Sequence, residues 1–536
     1  MDDMAFRGQC AAECHPGAGA WTGGKYPNLF DCERIHGGTD TEIFRTVTGG
    51  VPKTEMLSFQ GKLERRTKQE TRSEEKLFIP RLSSGLPVLG ILSLIVYAGI
   101  AWLSHAFVYG QGHLERPIGT FVCLYAAAFV LYALAIRRLK HLDTTQFPLV
   151  LIFLFAVLFR AILLFSVPIQ EDDFYRYLWD GKVVASGLNP YQFDPLSVQM
   201  GEANNAQLRP YRHIADEDEH FALLLSRINH PGVPTIYPPV AQAVFGLAAL
   251  IAPGSLLALR LVFFCFEIAV CVVLVSMLRH FGLSASGVLI YAWSPLVIKE
   301  SINSAHYDVV PTFLLVLALC AVLKGRTLLA HCSLAGAILG KVFPGLLLPL
   351  FLHRTWQKDG FWAAAGGLVL TGVVVIAGYL PFWGAGSALW QGSLTFAEEW
   401  QTNSFLFPFL QMLTEDRWLP NGIVVACLGG AVLIAVGRNS LGDERQFLRG
   451  CFFVIGLLLL LSPVGNPWYF IWIVPFVCIF PRRSWLLLSG LLGLYYFVFY
   501  FFYRGEPENF RWVVWLEYLP FYGLFTWEWW RERHRR

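Results

Sequence analysis

The stretch LPVLGILSLIVYAGIAWLSHAFVY at residues 86–109 contains no Asp, Glu, Lys or Arg. An α-helix rises about 1.5 Å per residue, so roughly 20 such residues cross the hydrocarbon core of a bilayer. A helix also satisfies its own backbone N–H and C=O groups, which lipid cannot do. The stretch therefore predicts a membrane-spanning helix.

Similar apolar runs recur along the rest of the chain, and most of them are 16–25 residues long. They predict an all-α, polytopic membrane protein with about 12–14 transmembrane helices. The candidate spans are residues 86–109, 117–136, 147–167, 235–252, 256–278, 283–298, 307–323, 328–352, 361–383, 404–413, 421–437, 450–465, 467–480, 484–503 and 512–530.

Two of these runs are not expected to form complete spans. Three complete spans between residues 235 and 298 would not leave the connecting segments on the sides of the membrane that their charges predict. One segment in this range should therefore be a partial helix. Residues 328–352 contain Gly340, Lys341 and Pro344. This run therefore predicts two short helices that meet within the membrane, which is tolerated where a broken helix lines a cavity.

Composition agrees with a membrane protein. Of the 536 residues, 55% are apolar and 15% are charged, whereas soluble proteins carry about 25% charged residues. The net charge is +3, and no basic stripe with aromatic residues is present, so a nucleic-acid partner is not expected.

The positions of the charges predict the topology. Short loops rich in Lys and Arg stay on the cytoplasmic side of a membrane, and here such loops follow residues 136, 323, 353, 437 and 481. Both termini are then expected inside, and the polar segment 168–234 is expected on the outer face, where it would carry short juxtamembrane helices.

Four parts of the chain are expected. Residues 1–80 form a polar cytoplasmic tail, 81–146 two additional transmembrane helices, 147–383 a catalytic membrane module, and 384–536 further transmembrane helices with a basic cytoplasmic tail.

The first part, residues 1–80, has no apolar core of a signal peptide. Its Cys10, Cys14, Cys32 and His36 could supply four zinc ligands; the alternative is a disordered tail with incidental cysteines.

Ten acidic residues lie in 168–234, against five Lys or Arg, and three of them are Glu171, Asp172 and Asp173. If a helix follows, Asp173, Arg176, Tyr177 and Asp180 share one face of it. A carboxylate one turn from a guanidinium could act as a general base while the arginine holds a phosphate. The alternative is an acidic helix cap followed by an ordinary ion pair.

Other polar groups stand at the ends of apolar runs or inside them. His306 and Asp308 lie in a cluster at an outer helix end, and Lys341 stands at the expected helix break, where it is a candidate phosphate ligand. Charges inside apolar runs need partners or a wet cavity. This applies to Arg160, Arg260, Glu267 and Lys341.

No phosphate-binding loop, dinucleotide fingerprint or serine-hydrolase elbow is present in the sequence. A donor that is available within the membrane is therefore expected, and a lipid phosphate fits that requirement.

Together these residues resemble the polytopic GT-C glycosyltransferases, which use polyprenyl-phosphate sugars. Among them, the bacterial mannosyltransferase-like proteins that contain a domain of unknown function are the most similar in style. The resemblance runs from about residue 147 to about 480. It is carried by Glu171 to Gly181, Asn189-Pro190-Tyr191, Tyr237-Pro238-Pro239, His306-Tyr307-Asp308, Gly340-Lys341 and Asn466-Pro467-Trp468-Tyr469.

The resemblance implies an integral membrane hexosyltransferase, with mannose as a candidate sugar. It would transfer the sugar with inversion to the hydroxyl of a lipid, glycan or protein acceptor. Asp173 is the first choice for the general base and Asp172 the second. Arg176 would bind the donor phosphate, and the other candidate substrate-binding residues are Tyr177, Asp180, Tyr237, His306, Asp308 and Lys341. Because some relatives carry lysine where this chain has Tyr237, more weight falls on Lys341 and His306.

The implied reaction needs no nucleotide, redox cofactor or metal, although the acidic trio could hold Mg²⁺ or Mn²⁺. The implied location is the bacterial inner membrane, with the site facing the periplasm and a role in the cell envelope.

Two alternatives remain open from the sequence. One is a transporter or flippase of envelope polysaccharide or isoprenoid precursors, and the other is a non-catalytic membrane scaffold.

Overall fold

A computed structural model describes residues 85–110, 112–139, 147–201, 205–414, 416, 418–439 and 443–534. The expected cytoplasmic tail and its candidate zinc ligands lie outside these residues. The described residues are helical with connecting loops; they contain no β-strand, and one isolated bridge joins Thr402 to Val464.

The α-helices are numbered in chain order. They are α1 Leu86–Ser104, α2 Ile118–Arg138, α3 Phe147–Leu164, α4 Asp173–Ala185, α5 Pro195–Met200, α6 Arg209–Glu217, α7 Glu219–Ser226, α8 Pro239–Ile251, α9 Leu256–His280, α10 Leu289–Ala292, α11 Pro295–Ile298, α12 Val309–Leu323, α13 Thr327–Gly340, α14 Leu348–Asp359, α15 Phe361–Tyr379, α16 Ala388–Glu399, α17 Phe407–Met412, α18 Leu419–Arg438, α19 Glu444–Leu461, α20 Val474–Ile479, α21 Arg483–Leu491, α22 Phe497–Tyr503 and α23 Phe510–Arg533.

Several of these helices have the length and composition of membrane spans. Within the described residues, six helical stretches are long and apolar enough to cross a membrane, and five apolar helices are shorter, with 10–17 residues. In the stretch Phe361–Ala385 only 11% of the residues in its most apolar window are buried by protein. Such a surface fits contact with lipid, and the all-α polytopic prediction is confirmed.

Interruptions are found in both regions where the sequence predicts them, residues 235–298 and residues 328–352. The run at 283–298 forms α10 and α11 with a turn of 3₁₀-helix before them, and a π-helical turn, Lys299–Asn303, follows. The run at 328–352 ends its first helix at Gly340, passes through an extended Lys341, and resumes as the 3₁₀ turn Phe343–Leu347 and then α14. Side chains at such breaks can face a cavity.

The polar segment 168–234 contains four short helices, α4 to α7, as expected of an extramembrane loop. Two of them begin at aspartates whose side chains cap the helix. Asp194 accepts a hydrogen bond from the backbone N–H of Ser197, and Asp218 accepts one from that of His220. Each cap satisfies an N–H group that the helix itself leaves without a partner.

Charged side chains inside the apolar helices have polar partners within the protein. Arg160 of α3 forms a fully buried ion pair with Glu267 of α9 and donates a second hydrogen bond to the carbonyl oxygen of Ala292, 2.8 Å away. Arg260, seven residues before Glu267, instead donates to backbone carbonyl groups. Both arginines therefore hold helices together and lie away from the main cavity.

Helix α4 packs closely against α8 because Gly181 has no side chain. A Cβ atom at Gly181 would lie 2.4 Å from the carbonyl oxygen of Phe245. Real Cβ atoms do not approach that closely, so any larger residue would push the two helices apart. The first turns of α4 carry Asp173, Arg176 and Tyr177, so this contact also fixes the position of the candidate site.

We predict that Gly181→Ala lowers both stability and activity, because α4 must move away from α8. Overpacking of this kind costs about 1–3 kcal/mol, which a thermal unfolding midpoint in detergent would detect. Gly366→Ala is the matched control, since Gly366 is also helical but a Cβ atom there meets nothing within 4 Å. Equal midpoints for the two variants would contradict this account of the α4–α8 contact.

Candidate functional site

The principal cavity of the described structure has a volume of ≈ 880 Å³. It lies where α4, the loop before α8, the break at Lys341 and the segment after α19 come together. Six of the nine residues proposed from the sequence border it: Asp172, Asp173, Arg176, Tyr177, Tyr237 and Lys341. The other three, Asp180, His306 and Asp308, are buried and do not border it.

At one end of the cavity two carboxylates lie side by side. The side-chain amide of Asn229 donates to Asp172 Oδ1 at 2.8 Å and to Asp173 Oδ1 at 2.9 Å. This shared donor holds the two groups in place although both carry charge of the same sign. One oxygen of each carboxylate is left for other contacts, so the pair can accept a proton from a bound hydroxyl group.

The loop that leads into these carboxylates is held by Asn303 and Arg260. Asn303 donates from its side chain to Ser166 Oγ and to the carbonyl oxygen of Val167, both at 2.8 Å, and accepts from the backbone N–H of Ile169 at 3.1 Å. Arg260 donates to the carbonyl oxygens of Ser166 and Asn303. The start of the acidic loop and the segment before His306 are therefore fixed to each other.

Backbone strain is concentrated around this cavity. In the described ranges, four residues other than glycine have a φ angle in the left-handed region, which side chains with a Cβ atom disfavour. Two of them border the cavity, and the other two directly follow or precede residues of the site. They are Gln170, His230, Ala305 and Asn403. Such outliers are often found at functional sites.

The cation of the cavity is Lys341, at the helix break. Its Nζ atom lies 2.6 Å from Asp308 Oδ1 and above the ring of Tyr469, 4.0 Å from the ring centre. Asp308 Oδ1 also accepts from the indole N–H of Trp472 at 2.9 Å. The Lys341 side chain is 18% exposed, so it can reach an anion in the cavity while Asp308 and the aromatic rings hold it.

A second cation, Arg176, faces the cavity from α4. It donates to the carbonyl oxygen of Val233. One turn further along α4, Asp180 accepts from the hydroxyl of Thr235 at 2.6 Å and from the amide of Gln242 at 3.1 Å. Asp180 thus holds the cavity wall before α8 from behind, and the structure gives it no contact with the cavity.

His306 lies directly behind Asp173 and is fully buried. Its Nδ1 atom is 3.7 Å from Asp173 Oδ2, and its ring stacks on Trp468 with ring centres 3.8 Å apart. Trp468 borders the cavity and covers the imidazole. His306 can therefore influence substrates through Asp173, whereas direct contact with them is blocked in this structure.

Burial changes the protonation of the acidic group. It raises the pKa of Asp172 from 3.8 to about 7, and the neighbouring charge of Asp173 adds to this shift. Burial also raises the pKa of Asp173, although the hydrogen bond from Asn229 and the charge of Lys341 act in the opposite direction. The pKa of Glu171 is raised well above its usual range, again chiefly by burial. These carboxylates are stronger bases than exposed ones.

The described residues contain no group of three or more His, Cys, Asp or Glu arranged to hold a metal ion. The neighbouring Asp172 and Asp173 share a neutral amide donor instead. What the cavity offers chemically is a basic carboxylate pair at one end and two cations that can bind an anion.

Several residues of the site were not identified from the sequence. Asn229 stands in a turn-forming stretch, Ile-Asn-His-Pro-Gly, with no local pattern that indicates a functional amide. Trp472 lies three residues after the Asn466 to Tyr469 motif. The only local indication of a role is its position shortly after Pro467, where a helical turn begins. Glu300 was not identified from the sequence, and its contact with His306 at 3.6 Å depends on the π-helical turn.

Comparison with known proteins gives one match. The family model described as "Alpha-(1->6)-mannopyranosyltransferase, N-terminal domain" matches residues 84–357, just over half of the chain. The matched range contains the acidic pair, Arg176 and Lys341, but not the aromatic residues that follow α19. No curated protein and no solved structure matches the chain.

We predict that Asp172→Asn stabilises the protein more at pH 8 than at pH 5. The raised pKa means that folding favours the protonated acid, so wild-type stability falls as pH rises from about 4 to about 7. Asparagine carries no charge at either pH and avoids this loss. Thermal unfolding midpoints of wild type and variant at the two pH values give the comparison.

Asp172→Glu is the control for that measurement, because it keeps a buried carboxyl group and should keep the pH dependence. A difference between wild type and Asp172→Asn that is the same at both pH values would contradict the raised pKa.

Proposed function

The chain belongs to the alpha-(1->6)-mannopyranosyltransferase family, and from this premise we propose a specific donor, mechanism and membrane face. As a member of this family, the chain is a mannosyltransferase of the GT-C type. It is also a multi-pass membrane protein. We propose that it transfers mannose from a polyprenyl-phosphate donor to an acceptor hydroxyl, with inversion and with Asp173 as the general base.

The observation that carries the proposal is that one cavity contains both the carboxylates and the cations. Asp173 and Lys341 border the same ≈ 880 Å³ space, together with Arg176. A glycosyl phosphate needs this combination: a base beside the acceptor hydroxyl and cations beside the leaving phosphate. Lys341 lies at a helix break and Asp173 on α4, so the cation and the base reach this space from different elements.

The chemical step follows from these positions. Asp173 removes the proton from the acceptor hydroxyl, and the acceptor oxygen forms a bond to the anomeric carbon of mannose. The bond from that carbon to the phosphate oxygen breaks, and its electron pair stays on polyprenyl phosphate, where Lys341 and Arg176 stabilise the additional charge. Inversion requires a β-linked donor if the product linkage is α.

Asp173 is preferred to Asp172 as the base because of its neighbours. Lys341 and Arg176 are among the charges that act on Asp173, so the donor phosphate would lie close to it. Asp172 is the N-cap residue of α4 and directly precedes Asp173. A negative charge on Asp172 raises the free energy that is needed to ionise both carboxyl groups of the pair. The role proposed for Asp172 is to increase the basicity of the pair.

A lipid chain on the donor has an apolar surface to follow. Next to Lys341, Val342 is 66% exposed, and it borders the cavity together with Phe343, Leu458 and Leu459. A phosphate bound by Lys341 would therefore have its prenyl chain over these side chains. This arrangement supports a lipid-linked donor better than a soluble nucleotide sugar.

The membrane face is proposed from the distribution of charge. The Lys- and Arg-rich loops are expected on the cytoplasmic side. The cavity is bordered by Asp172, Asn229 and Pro234 of the segment 168–234, which the charge distribution predicts on the opposite side. We therefore place the site on the periplasmic or outer face of a bacterial inner membrane, in a reaction of cell-envelope assembly. No cofactor is needed for the proposed step, and added EDTA is expected to leave the rate unchanged.

We predict that Asp173→Asn abolishes transfer, whereas Asp172→Asn keeps a measurable rate. Loss of a general base typically costs about 10²–10⁴-fold in rate. The measurement is mannose transfer from a polyprenyl-phosphate mannose in proteoliposomes, with donor binding as a check that the variant is folded. Retained turnover by Asp173→Asn, or a larger loss with Asp172→Asn, would exclude Asp173 as the base.

We also predict that Lys341→Met raises the KM for the donor and that Lys341→Arg does so less, because arginine keeps the charge. Lys324→Met is the matched control: Lys324 follows α12 at an exposed position and donates to Ser276, remote from the cavity. If polyprenyl phosphate protects the wild type and the Lys341→Met variant equally against thermal unfolding, then Lys341 does not bind the phosphate.

A further inference from the structure

Behind the acidic pair lies a buried group of ionisable side chains that the mechanism above does not use. Its centre is His306, whose Nδ1 atom faces Asp173 at 3.7 Å. On the other side of the ring, Nε2 is 3.6 Å from Glu300 Oε2 and 3.9 Å from Glu171 Oε2. One imidazole thus has carboxylates on both of its nitrogen atoms.

Four polar atoms of this group lack hydrogen-bond partners in the described structure. They are Glu171 Oε1, Glu300 Oε2 and the two ring nitrogens of His306. Buried polar atoms are nearly always hydrogen-bonded, so four such atoms in one place need an explanation. The separations of 3.6 to 3.9 Å exceed a hydrogen bond by less than an ångström, and small side-chain rotations would close them when charge changes.

The ring itself is held firmly. It stacks on Trp468, and its backbone N–H donates to the carbonyl oxygen of Glu300 at 2.8 Å. Ala305, the residue before it, has a left-handed φ of 58°. This strained backbone conformation is maintained by the surrounding contacts and directs the imidazole toward Asp173.

The carboxylate behind the ring is held as well. Tyr496 donates its hydroxyl hydrogen to Glu300 Oε1 at 2.7 Å, and the Nζ atom of Lys299 lies 3.6 Å from Glu300 Oε2. Lys299 also donates to Ser304 Oγ at 2.6 Å. The charged and titratable groups that act on His306 and Glu300 from all sides are Glu171, Asp173, Lys299, Asp308 and Lys341.

We propose that His306 receives, from Asp173, the proton that Asp173 takes from the acceptor hydroxyl, and that Glu171 and Glu300 stabilise the imidazolium that results. This inference rests on the proposed function. The first transfer breaks the acceptor O–H bond and forms an O–H bond on Asp173. The second breaks that bond and forms N–H at Nδ1 of His306, which leaves Asp173 ionised and the histidine positively charged.

The geometry explains why the proton would move on. Once it is protonated, the imidazole forms ion pairs with Asp173 and Glu300, and in a site of low polarity such pairs are strong. Its charge also favours ionisation of Glu171, whose carboxyl group burial otherwise keeps protonated. Asp173 regains its charge while the product still occupies the cavity. His306 does not border the cavity, so it acts through Asp173 and makes no contact of its own with donor or acceptor.

The experiment compares His306→Gln with wild type in proteoliposomes. We expect kcat to fall about 10²-fold, as for the loss of a proton-transfer group, while the KM values for donor and acceptor stay unchanged. Glu300→Gln, which keeps the hydrogen bond from Tyr496, should lower kcat less and also leave KM unchanged. His331→Gln is the control, because His331 is a buried histidine that contacts Thr355 and Thr371, outside the cavity.

A second measurement distinguishes proton transfer from a structural role. His306→Ala leaves a space for free imidazole, and added imidazole should restore part of kcat. A full kcat in His306→Gln, a fall that appears in KM rather than kcat, or a His306→Ala variant that imidazole does not restore would each overturn the proposal. Wild-type protein that transfers no mannose from the lipid donor would instead overturn the proposed function.

Discussion

The guanidinium of Arg260 satisfies backbone groups that two helix ends leave open. The last carbonyl oxygens of a helix have no partner within the helix, and when they are buried another donor must supply one. Arg260 donates to the carbonyl oxygens of Leu164 and Ser166 at the end of α3 and to that of Asn303 at the end of the π-helical turn. One side chain therefore satisfies buried carbonyl groups at two interruptions of the helical structure.

The residues of the proposed reaction follow those two interruptions. The chain after Ser166 leads to Asp172 and Asp173, and the chain after Asn303 leads to His306. Because Arg260 and Asn303 join the two segments, the distance between the carboxylate pair and the imidazole is fixed by hydrogen bonds to backbone atoms. The break at Lys341 is a third interruption, and it is positioned separately, by Asp308 and the stacked rings of Tyr469 and Trp472.

Much of the fold can be predicted from the sequence because its determinants are local. A run of about 20 apolar residues has few alternatives to a helix in lipid, and Gly340, Lys341 and Pro344 interrupt such a run at a definite point. The acidic loop stands out by composition, and its helix repeat places Asp173, Arg176 and Tyr177 on one side. Six of the nine candidate residues consequently border the same cavity. The unpaired charges at Arg160 and Glu267 also indicated partners, and the two residues are partners of each other.

The remaining features depend on contacts between distant parts of the chain. Asn229 joins the two aspartates across 57 and 56 residues, and nothing in its own neighbourhood indicates that. His306 and Asp308 were expected to contact substrate, yet each is covered by aromatic side chains contributed by residues 468–472. Asp180 shares the helix face of Asp173, but α8 packs over that part of α4 and encloses the carboxylate. Spacing along a helix defines a face, while burial of that face depends on which element covers it.

The cavity is divided between two parts of the sequence. The part that matches the family model supplies the acids and the cations, whereas Trp400, Trp468, Tyr469, Trp472 and Tyr495 on the other wall all come from after residue 357. Substitutions in the later part can therefore change the shape of the cavity without replacing any of its acids or cations. The groups proposed to carry the reaction and the residues that shape much of the cavity thus lie in different parts of the chain.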